Sequence, residues 1–274
     1  MNDPSFVGDT MQQLTKRLET AATIAAEAGT LAMRMRPAPG AASARLKGPQ
    51  DWVTEADGAV ERFLSERLAH AFPSDGFQGE EGGVLRGGTL RWVVDPIDGT
   101  ANYARGAARF CVSVACMEGD TPLIGVIVAP ALGETIIARL DGGATLNGTP
   151  IRPAGTSDPA QAIIEVGWSR RRPNQDYLAV CETLLGVGAS LRQGGSGALG
   201  LADVAIGRID AYTELHINLW DVAAALVILR EAGAATSPFL DGNGATQGNP
   251  ILACAPGLAP ALASLPNIPP ALTP

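Results

Sequence analysis

The chain of 274 residues predicts a mixed fold that combines α+β with α/β organisation. Its first half reads as helices followed by consecutive strands, whereas its second half alternates strands with helices, which is typical of α/β units. A polar segment rich in Pro, Gly and Ser, residues 150–160, separates the two patterns. We therefore expect two halves, residues 1–150 and residues 151–274.

Helical periodicity dominates the start of the first half. Apolar residues recur at helical spacing over residues 10–36, and a proline ends the run. Residues 37–50 are rich in Pro, Gly, Ala and Ser, which predicts a loop or flap. A second helix is expected from Thr54 to about Phe72, because Thr54 and the acid three residues later, Asp57, approximate a capping box.

Segments rich in β-formers follow. Residues 89–95 are expected to form a strand that ends at Asp95. Further strands of the first half are expected over residues 109–119, 122–130 and 133–140. In the second half we expect strands over residues 161–167, 189–193, 208–213 and 250–254, and helices over residues 174–186, 197–206 and 219–232. The Pro-rich end of the chain is expected to be frayed.

Composition restricts the function. A net charge of −8 argues against a nucleic-acid backbone as the main partner, since that requires a basic surface. The two histidines argue against a zinc hydrolase with imidazole ligands, and the four cysteines lack C-x-x-C spacing, as expected for free thiols in a reducing compartment. The chain starts without a leader pattern and contains no apolar run long enough to span a bilayer. We expect a soluble, cytoplasmic protein that does not contact membranes.

The segment VVDPIDGTANY, residues 93–103, carries two aspartates three residues apart, Asp95 and Asp98, directly before Gly-Thr. Alone, its Asp, Pro and Gly residues are consistent with a simple turn. Two distant segments add further acids: GEEGG contains Glu80, and Asp221 opens an apolar helix. By themselves, these acids are consistent with a solvated loop and with an acid favoured by the helix dipole.

Together, these acids form the kind of oxygen-ligand set that Mg²⁺ prefers. Two such ions can stabilise both the attacking and the leaving oxygen of a phosphoryl transfer. A helix that begins at Thr100 would direct its free amide groups at an anion, and Gly99 would let the backbone approach closely. We therefore expect a tight turn that aims acids and amides at one phosphate. The candidate metal ligands are Glu80, Asp95, Asp98, Asp221 and the backbone carbonyl of Ile97.

DPIDGTANY, GEE upstream and WDVAAA downstream, in this order, resemble the inositol monophosphatase family of Mg²⁺-dependent, lithium-sensitive phosphatases. DWVTEAD (51–57) and GSGALGLADVAIGRIDAY (195–212) are also similar to that family, so the resemblance covers roughly residues 12–255. Two departures are mild: TANY replaces the more usual TTNF, and Ala225 replaces a frequent glycine. The resemblance implies a layered αβαβα sandwich of the inositol monophosphatase and fructose-1,6-bisphosphatase type, two or three Mg²⁺ ions, inhibition by Li⁺ and a homodimer.

The resemblance also implies roles for single residues. Thr100, paired with Asp57, would position or activate the attacking water, with Glu80 nearby. The first ion would be bound by Glu80, Asp95 and the Ile97 carbonyl, and the second by Asp95, Asp98 and Asp221. A third, weaker ion would bind near Glu80. Contacts to phosphate and substrate would be made by Asp98, Gly99, Thr100, Ser196, Gly197 and Glu214.

Three features of the sequence have two interpretations each. Lys47 would be a flap lysine near the metal ions or a surface charge. His216 would contact the substrate or pack inside the fold. The run Arg170–Arg172 would be a solvated basic patch or would bind a second phosphate.

The favoured function is hydrolysis of a small phosphorylated metabolite, a polyol phosphate such as inositol 1-phosphate, by metal-activated water. The resemblance keeps histidinol phosphate, fructose 1,6-bisphosphate and nucleotide 3′-phosphates as alternative substrates. A regulatory or RNA-machinery binding partner that retains the fold is the non-enzymatic alternative.

Overall fold

The computed structural model describes residues 4–37, 44–48 and 51–269. Within them, no helix combines the length and hydropathy that a membrane crossing requires. The described residues form eight α-helices: α1 (Pro4–Met35), α2 (Glu55–Ala71), α3 (Thr100–Ala104), α4 (Asn174–Gly186), α5 (Gly197–Ile206), α6 (Leu219–Ala232), α7 (Gly244–Gln247) and α8 (Ala259–Ala263).

The first half carries a small hairpin of β1 (Ala44–Gly48) and β2 (Asp51–Thr54) and a large sheet. The large sheet contains β3 (Gly76–Gly79), β4 (Gly83–Arg86), β5 (Leu90–Asp98), β6 (Cys111–Glu118), β7 (Thr121–Ala129), β8 (Glu134–Arg139), β9 (Ala144–Leu146) and β10 (Thr149–Pro150). Its strand order is β10-β9-β8-β7-β6-β5-β3-β4, and every pairing is antiparallel except that of β3 with β5. The expected meander is therefore confirmed for β5 to β8.

The second half carries a five-stranded sheet with the order β12-β11-β13-β15-β14. The β11–β12 and β11–β13 pairs are parallel, whereas β15 runs antiparallel to both of its neighbours. This half is therefore a mixed α/β arrangement. Its strands are β11 (Ile163–Val166), β12 (Ser190–Arg192), β13 (Ala211–Ile217), β14 (Ala235–Thr236) and β15 (Asn249–Cys254).

Three hydrophobic cores define five layers. One core lies between helices α1 and α2 and the first face of the large sheet, where Leu64 and Trp92 are completely buried. A second core joins the other face of that sheet to α5 and α6 and to one face of the five-stranded sheet. The third core covers the remaining face with α4 and α8. The αβαβα sandwich expected from the sequence is confirmed, and burial of apolar surface between its layers stabilises it.

Local signals set the beginning of α2. The Thr54 hydroxyl accepts a hydrogen bond from the amide of Ala56, and Asp57 Oδ2 accepts one from the amide of Thr54 at 2.8 Å. This is the capping box that the sequence predicts. The helices expected over residues 174–186, 197–206 and 219–232 also have the observed bounds.

Several expectations were wrong in detail. Helix α1 begins earlier than residue 10, and the expected flap contains strand β1, while residues 38–43 and 49–50 lie outside the described residues. The strand expected over 208–213 is β13, which is displaced towards Ile217. Strands of two to four residues, such as β3 and β4, are too short and too rich in glycine to stand out in the sequence.

The end that was expected to be frayed is residues 265–274, of which the structure describes residues 265–269. Residues 256–263 form a short 3-10 helix and α8. Bends and turns follow over residues 264–268, where the side-chain amide of Asn267 donates a hydrogen bond to the Thr183 hydroxyl at 3.3 Å. Residues 270–274 lie outside the described part of the chain.

Candidate active site

Three aspartates from two distant segments converge between the layers. Asp95 and Asp98 come from the end of β5, and Asp221 comes from the first turn of α6. One carboxylate oxygen of each lies within 4.8 Å of the other two. We call these three residues the acid cluster. Asp95 and Asp98 are buried, and Asp221 is half-buried.

An irregularity in β5 brings Asp95 and Asp98 together. Asp95 pairs with Ser113, whereas Asp98 pairs with Cys111, so two residues of β5 stand opposite one residue of β6. In a regular strand, residues three apart point to opposite faces of the sheet. The extra residue of the bulge returns both acids to one face. Pro96 suits this position, because it has no N–H to donate to the ladder. The strand therefore continues past Asp95, where the sequence suggested that it ended.

Asp98 is held by the N-terminus of α5. Its Oδ2 accepts hydrogen bonds from the Ser196 hydroxyl and from the amide of Ala198 at 2.9 Å. Its Oδ1 accepts a hydrogen bond from the amide of Gly197 at 3.2 Å. Amides at a helix N-terminus favour an anion, and here the anion is a side chain of the protein itself. Ser196 and Gly197, expected to contact substrate, thus hold Asp98, and their contact with substrate stays a prediction.

Asp221 is held by its own helix cap. Its Oδ2 accepts hydrogen bonds from the amide of Asn218 at 3.0 Å and from the side-chain amide of Asn218 at 3.3 Å. Burial, and after it the charge of Asp98, nevertheless raise the pKa of Asp221 to about 7. The helix-cap interpretation and the metal-ligand interpretation of Asp221 are compatible, because both cap contacts from Asn218 go to Oδ2, and a carboxylate offers two oxygens.

The electrostatics of the acid cluster suit a cation. Burial is the largest cause that raises the pKa of Asp95 well above its ordinary value, and the charges of Glu80, Asp98 and Asp221 add to it. Asp95 and Asp221 share a hydrogen bond that raises the pKa of Asp95 and lowers that of Asp221. A proton on Asp95 thus relieves the repulsion. A hard divalent cation among the same oxygen donors would relieve it more fully, so the donor set fits Mg²⁺.

Glu80 lies in the three-residue loop between β3 and β4, where Gly79 pairs with Gly83. Its side chain is half-buried, and its charge raises the pKa of Asp95, which places the two acids near each other. The loop is held from α2 by Glu61, whose carboxylate accepts backbone hydrogen bonds from Glu81 and from the next residue. The loop therefore holds Glu80 near Asp95.

Thr100 begins α3, as the sequence predicts, with Gly99 as its cap. The Thr100 hydroxyl lies 3.0 Å from the carbonyl oxygen of Ile97 and 3.3 Å from Asp57 Oδ1. Burial raises the pKa of Asp57, although hydrogen bonds from Thr54 lower it. The pair of Thr100 and Asp57 can therefore accept a proton beside the acid cluster. The Ile97 carbonyl retains a second lone pair, as its predicted role in metal binding requires.

Glu214 lies on β13 close enough to Asp221 and Asp98 for their charges to act on it. The Tyr212 hydroxyl donates a hydrogen bond to Glu214 Oε2 at 2.6 Å. Burial raises the pKa of Glu214 to about 8. Gly167 makes room for this pair, since a Cβ there would lie 2.2 Å from Glu214 Oε2.

A second group of acids is paired with arginine. Arg109 contacts Glu165 at 2.7 Å and Asp203 at 2.6 Å. Arg208 contacts Asp203 at 3.2 Å and Glu134 at 2.6 Å. We call these five residues the arginine network. It reaches the acid cluster through Glu165, which accepts a hydrogen bond from the amide of Gly194, two residues before Ser196.

The residues with two interpretations are placed as follows. His216 Nε2 lies 2.9 Å from the carbonyl oxygen of Gln247, which matches the packing role. The three arginines diverge: Arg172 forms an exposed ion pair with Asp176 at 2.9 Å, whereas the charge of Arg171 acts on Glu214. Lys47 lies in β1, and its side chain is outside the described part of the molecule.

Sequence reasoning missed the residues that support the site. Glu61 and Ser65 follow Asp57 at intervals of four, and this polar spacing on the apolar face of α2 was the available signal. The arginine network left no comparable signal, because Arg109 lies 56 residues from Glu165 and 94 residues from Asp203. Long-range partners of this kind do not follow from local periodicity.

Comparisons with known proteins identify the family of the chain. The chain is 40% identical over 193 residues to a Rhizobium meliloti protein named inositol-1-monophosphatase, covering 69% of this chain and 72% of that one. It is 38% identical over 195 residues to the Nus factor SuhB of Xylella fastidiosa, covering 70% and 71%. The extragenic suppressor protein SuhB of Bartonella henselae has a similar structure, with a TM-score of 0.82 at 30% identity, covering 88% and 95%. A family profile matches residues 13–265, and the chain belongs to the inositol monophosphatase family.

Proposed function

We propose that this member of a phosphomonoesterase family depends on Mg²⁺ and hydrolyses a small polyol phosphate such as inositol 1-phosphate. The observation that carries the proposal is the convergence of Asp95, Asp98 and Asp221 within 4.8 Å, with Glu80 and Thr100 beside them. Buried acids that raise one another's pKa are unfavourable without a cation, and they cluster at functional sites.

The acid cluster, Glu80 and the Ile97 carbonyl would hold two or three Mg²⁺ ions. When bound, Mg²⁺ supplies positive charge that offsets the charge on the acids and on the phosphoryl oxygens. The phosphoryl group would lie between the acid cluster and the first turn of α3. Helix α3 has only five residues, so its dipole is small. Direct hydrogen bonds from the free backbone amides around Gly99 and Thr100 would therefore contribute more to phosphate binding than the dipole of α3.

The chain's own residues would orient and deprotonate water. The Thr100 hydroxyl directs its proton to Asp57 Oδ1 or to the Ile97 carbonyl, so its lone pair can accept a hydrogen bond from the attacking water. Asp57 Oδ1 would take the Thr100 proton while the Thr100 oxygen takes one from the water that attacks phosphorus. The P–O bond to the polyol breaks, and the leaving alkoxide takes a proton from a solvent water. A covalent step is not expected. Burial raises the pKa of the nearby Cys111 thiol well above its ordinary value, so the thiol stays protonated.

The surroundings of Glu214 support a neutral polyol rather than a cationic substrate. Without metal ions, burial first and the charges of Asp221 and Asp98 after it raise the pKa of Glu214 to about 8. A carboxyl group that is protonated in this way can both donate to and accept from a hydroxyl group. A neutral carboxyl group attracts the amine of histidinol phosphate only weakly. Arg171, whose positive charge acts on Glu214, would also repel that amine.

A panel of esters tests this proposal. We expect Mg²⁺-dependent release of phosphate, with the highest kcat/KM for inositol 1-phosphate and lower values for histidinol phosphate, fructose 1,6-bisphosphate and adenosine 3′,5′-bisphosphate. Asp98→Asn is the control, since it keeps the shape of the side chain and removes a ligand. If the wild type is as inert as this variant on all four esters, the enzymatic proposal is wrong.

Inhibition by Li⁺ is a second expectation, because Li⁺ would replace the more weakly held Mg²⁺. A titration that remains flat to high millimolar Li⁺ would contradict two or three ions arranged as proposed. We also propose a cytoplasmic homodimer. All four cysteines are free, which supports a reducing compartment, and light scattering of the purified chain tests the dimer.

A second candidate is a non-catalytic partner in regulation or RNA machinery. It is supported by the name Nus factor of the Xylella fastidiosa relative. The net charge of −8 argues against direct contact with a nucleic-acid backbone, so such a role would act through another protein. Equal function of wild type and Asp98→Asn in cells, together with no phosphatase activity, would favour this candidate.

A further inference from the structure

One face of helix α2 carries three buried polar residues, of which the proposed mechanism uses only the first. Asp57, Glu61 and Ser65 stand four residues apart, the spacing that places side chains on one helical face. Their exposed fractions are 1%, 5% and 9%. We call this set the α2 seam. It contacts in turn Thr100, the loop between β3 and β4, and Arg86 of β4.

Glu61, in the middle of the α2 seam, forms hydrogen bonds with the backbone of the loop that carries Glu80. Its Oε2 accepts a hydrogen bond from the amide of Glu81 at 2.8 Å, and its Oε1 accepts one from the amide of Gly82 at 2.7 Å. These residues follow Glu80 directly in the three-residue loop. Two hydrogen bonds to one carboxylate group restrict the orientation of the loop backbone. The direction of the Glu80 side chain therefore depends on Glu61.

The close contact with Glu61 explains why glycines flank the two glutamates in GEEGG. A Cβ at Gly79 would lie 2.2 Å from Glu61 Oε2, and a Cβ at Gly82 would lie 2.9 Å from Glu61 Oε1. Of the three glycines in GEEGG, only Gly83 has a left-handed φ, at 66°. Gly79 and Gly82 are thus needed for the close approach of the Glu61 carboxylate, and Gly83 for the turn itself.

We propose that Glu61 is a positioning residue that holds the Glu80 loop and thereby sets the affinity of the site for Mg²⁺. The inference rests on the proposed function, because it assumes a cation between Glu80 and Asp95. Groups that orient metal ligands typically contribute about 10–100-fold to metal affinity. Glu61 acts on the cation through the loop backbone.

Calorimetric titration of Mg²⁺ into the full, metal-stripped chain tests the inference. Glu61→Gln keeps the size of the side chain but turns an NH₂ group towards one of the loop amides. We expect the Kd for Mg²⁺ to rise about tenfold or more. The matched control is Glu66→Gln, which makes the same charge change at an exposed position of α2 and should stay within about twofold, since exposed charges are screened.

A second variant tests the same contact in case Glu61→Gln does not fold. Gly82→Ala retains the Glu61 carboxylate but crowds its Oε1, so it should weaken Mg²⁺ binding in the same direction. In steady-state assays of both variants, raising the Mg²⁺ concentration should restore much of kcat. A positioning role predicts this rescue, whereas simple loss of folded protein does not.

The outcomes separate this inference from the proposed function. Suppose that the wild type binds Mg²⁺ and turns over substrate, and that both Glu61→Gln and Gly82→Ala keep the wild-type Mg²⁺ affinity. This result overturns the positioning role of Glu61 but not the proposed function, even if the melting temperature of the variants falls. A wild type that binds no Mg²⁺ and releases no phosphate overturns both.

Discussion

The carboxylates of the acid cluster and those of the arginine network have opposite charges as neighbours. In the network, Glu165 and Asp203 each lie within 3 Å of an Arg109 nitrogen. In the cluster, the charged neighbours that raise the pKa of Asp95 are themselves acids. The two groups are close, since the charge of Asp98 raises the pKa of Arg109.

The difference distinguishes structural acids from acids of a site. An acid that is buried opposite a guanidinium has its countercharge in the fold, so removing either partner leaves an uncompensated charge. An acid that is buried opposite other acids leaves its countercharge to be supplied from outside. The same substitution, Asp to Asn, should therefore have opposite effects on stability in the two groups.

The largest expected effect is at Asp221. Asp221→Asn should lower kcat/KM by about a thousandfold or more, because metal ligation contributes several kcal/mol to the transition state. In chelator, its melting temperature should equal or exceed that of the wild type, since one repulsive charge is gone. Steady-state kinetics and thermal melts measure the two effects.

Asp203→Asn is the counterpart in the arginine network. It weakens hydrogen bonds from Arg109 and Arg208, which contribute about 1–2 kcal/mol, and should lower the melting temperature by roughly 2–6 °C. If both variants shift the melting temperature in the same direction in chelator, the contrast between the two groups is wrong.

Gly99 packs against Arg109 of the arginine network and against Ser196, which holds Asp98 of the acid cluster. Its φ is 87°, and a Cβ there would lie 2.9 Å from the carbonyl oxygen of Arg109 and 3.2 Å from Ser196 Cβ. Gly99→Ala should cost about 3 kcal/mol of unfolding free energy, from backbone strain and overpacking together. Gly83→Ala is the control, because its φ of 66° has the same strain in open space and should cost about 1 kcal/mol. Equal costs in urea denaturation would show that packing at Gly99 contributes nothing.

Thr100 tests the chemistry beside the acid cluster. Thr100→Val removes the hydroxyl that lies 3.3 Å from Asp57 Oδ1 and that we propose to orient water. It should lower kcat about a hundredfold, the low end for general base catalysis. Thr23→Val removes an exposed hydroxyl that also bonds a backbone carbonyl, and should leave kcat unchanged. Wild-type turnover by the Thr100 variant would exclude this residue from positioning water.

The last contrast concerns how a buried acid is compensated, since Glu214 accepts a hydrogen bond from a neutral tyrosine whereas Glu165 is paired with Arg109. Burial raises the pKa of Glu214 from 4.5 to about 8, so the folded state keeps a proton that the unfolded chain releases. The stability from this group is complete below pH 4.5 and is lost as the pH rises towards 8. In chelator, the melting temperature of the wild type should therefore fall relative to that of Glu214→Gln as the pH rises from 5 to 8. A constant difference across this range would contradict the raised pKa.

Much of the fold followed from local patterns. The bounds of α4, α5 and α6 and the capping box of α2 were predictable, because helical periodicity and caps depend on residues within a few positions of each other. Short strands such as β3 and β4 were missed, since four residues with glycines carry no clear period. The layered sandwich and the site residues were expected from the family resemblance as much as from periodicity.

The chain by itself determined which acids are available, Glu80, Asp95, Asp98 and Asp221, and the turn chemistry around Gly99. Only the tertiary structure decided their neighbours. The bulge in β5 turns Asp95 and Asp98 to one face, and α5 supplies the amides that hold Asp98. Strand register and contacts between distant segments are set by packing of the layers, and no local pattern in a sequence records which buried acid will meet an arginine and which will meet another acid.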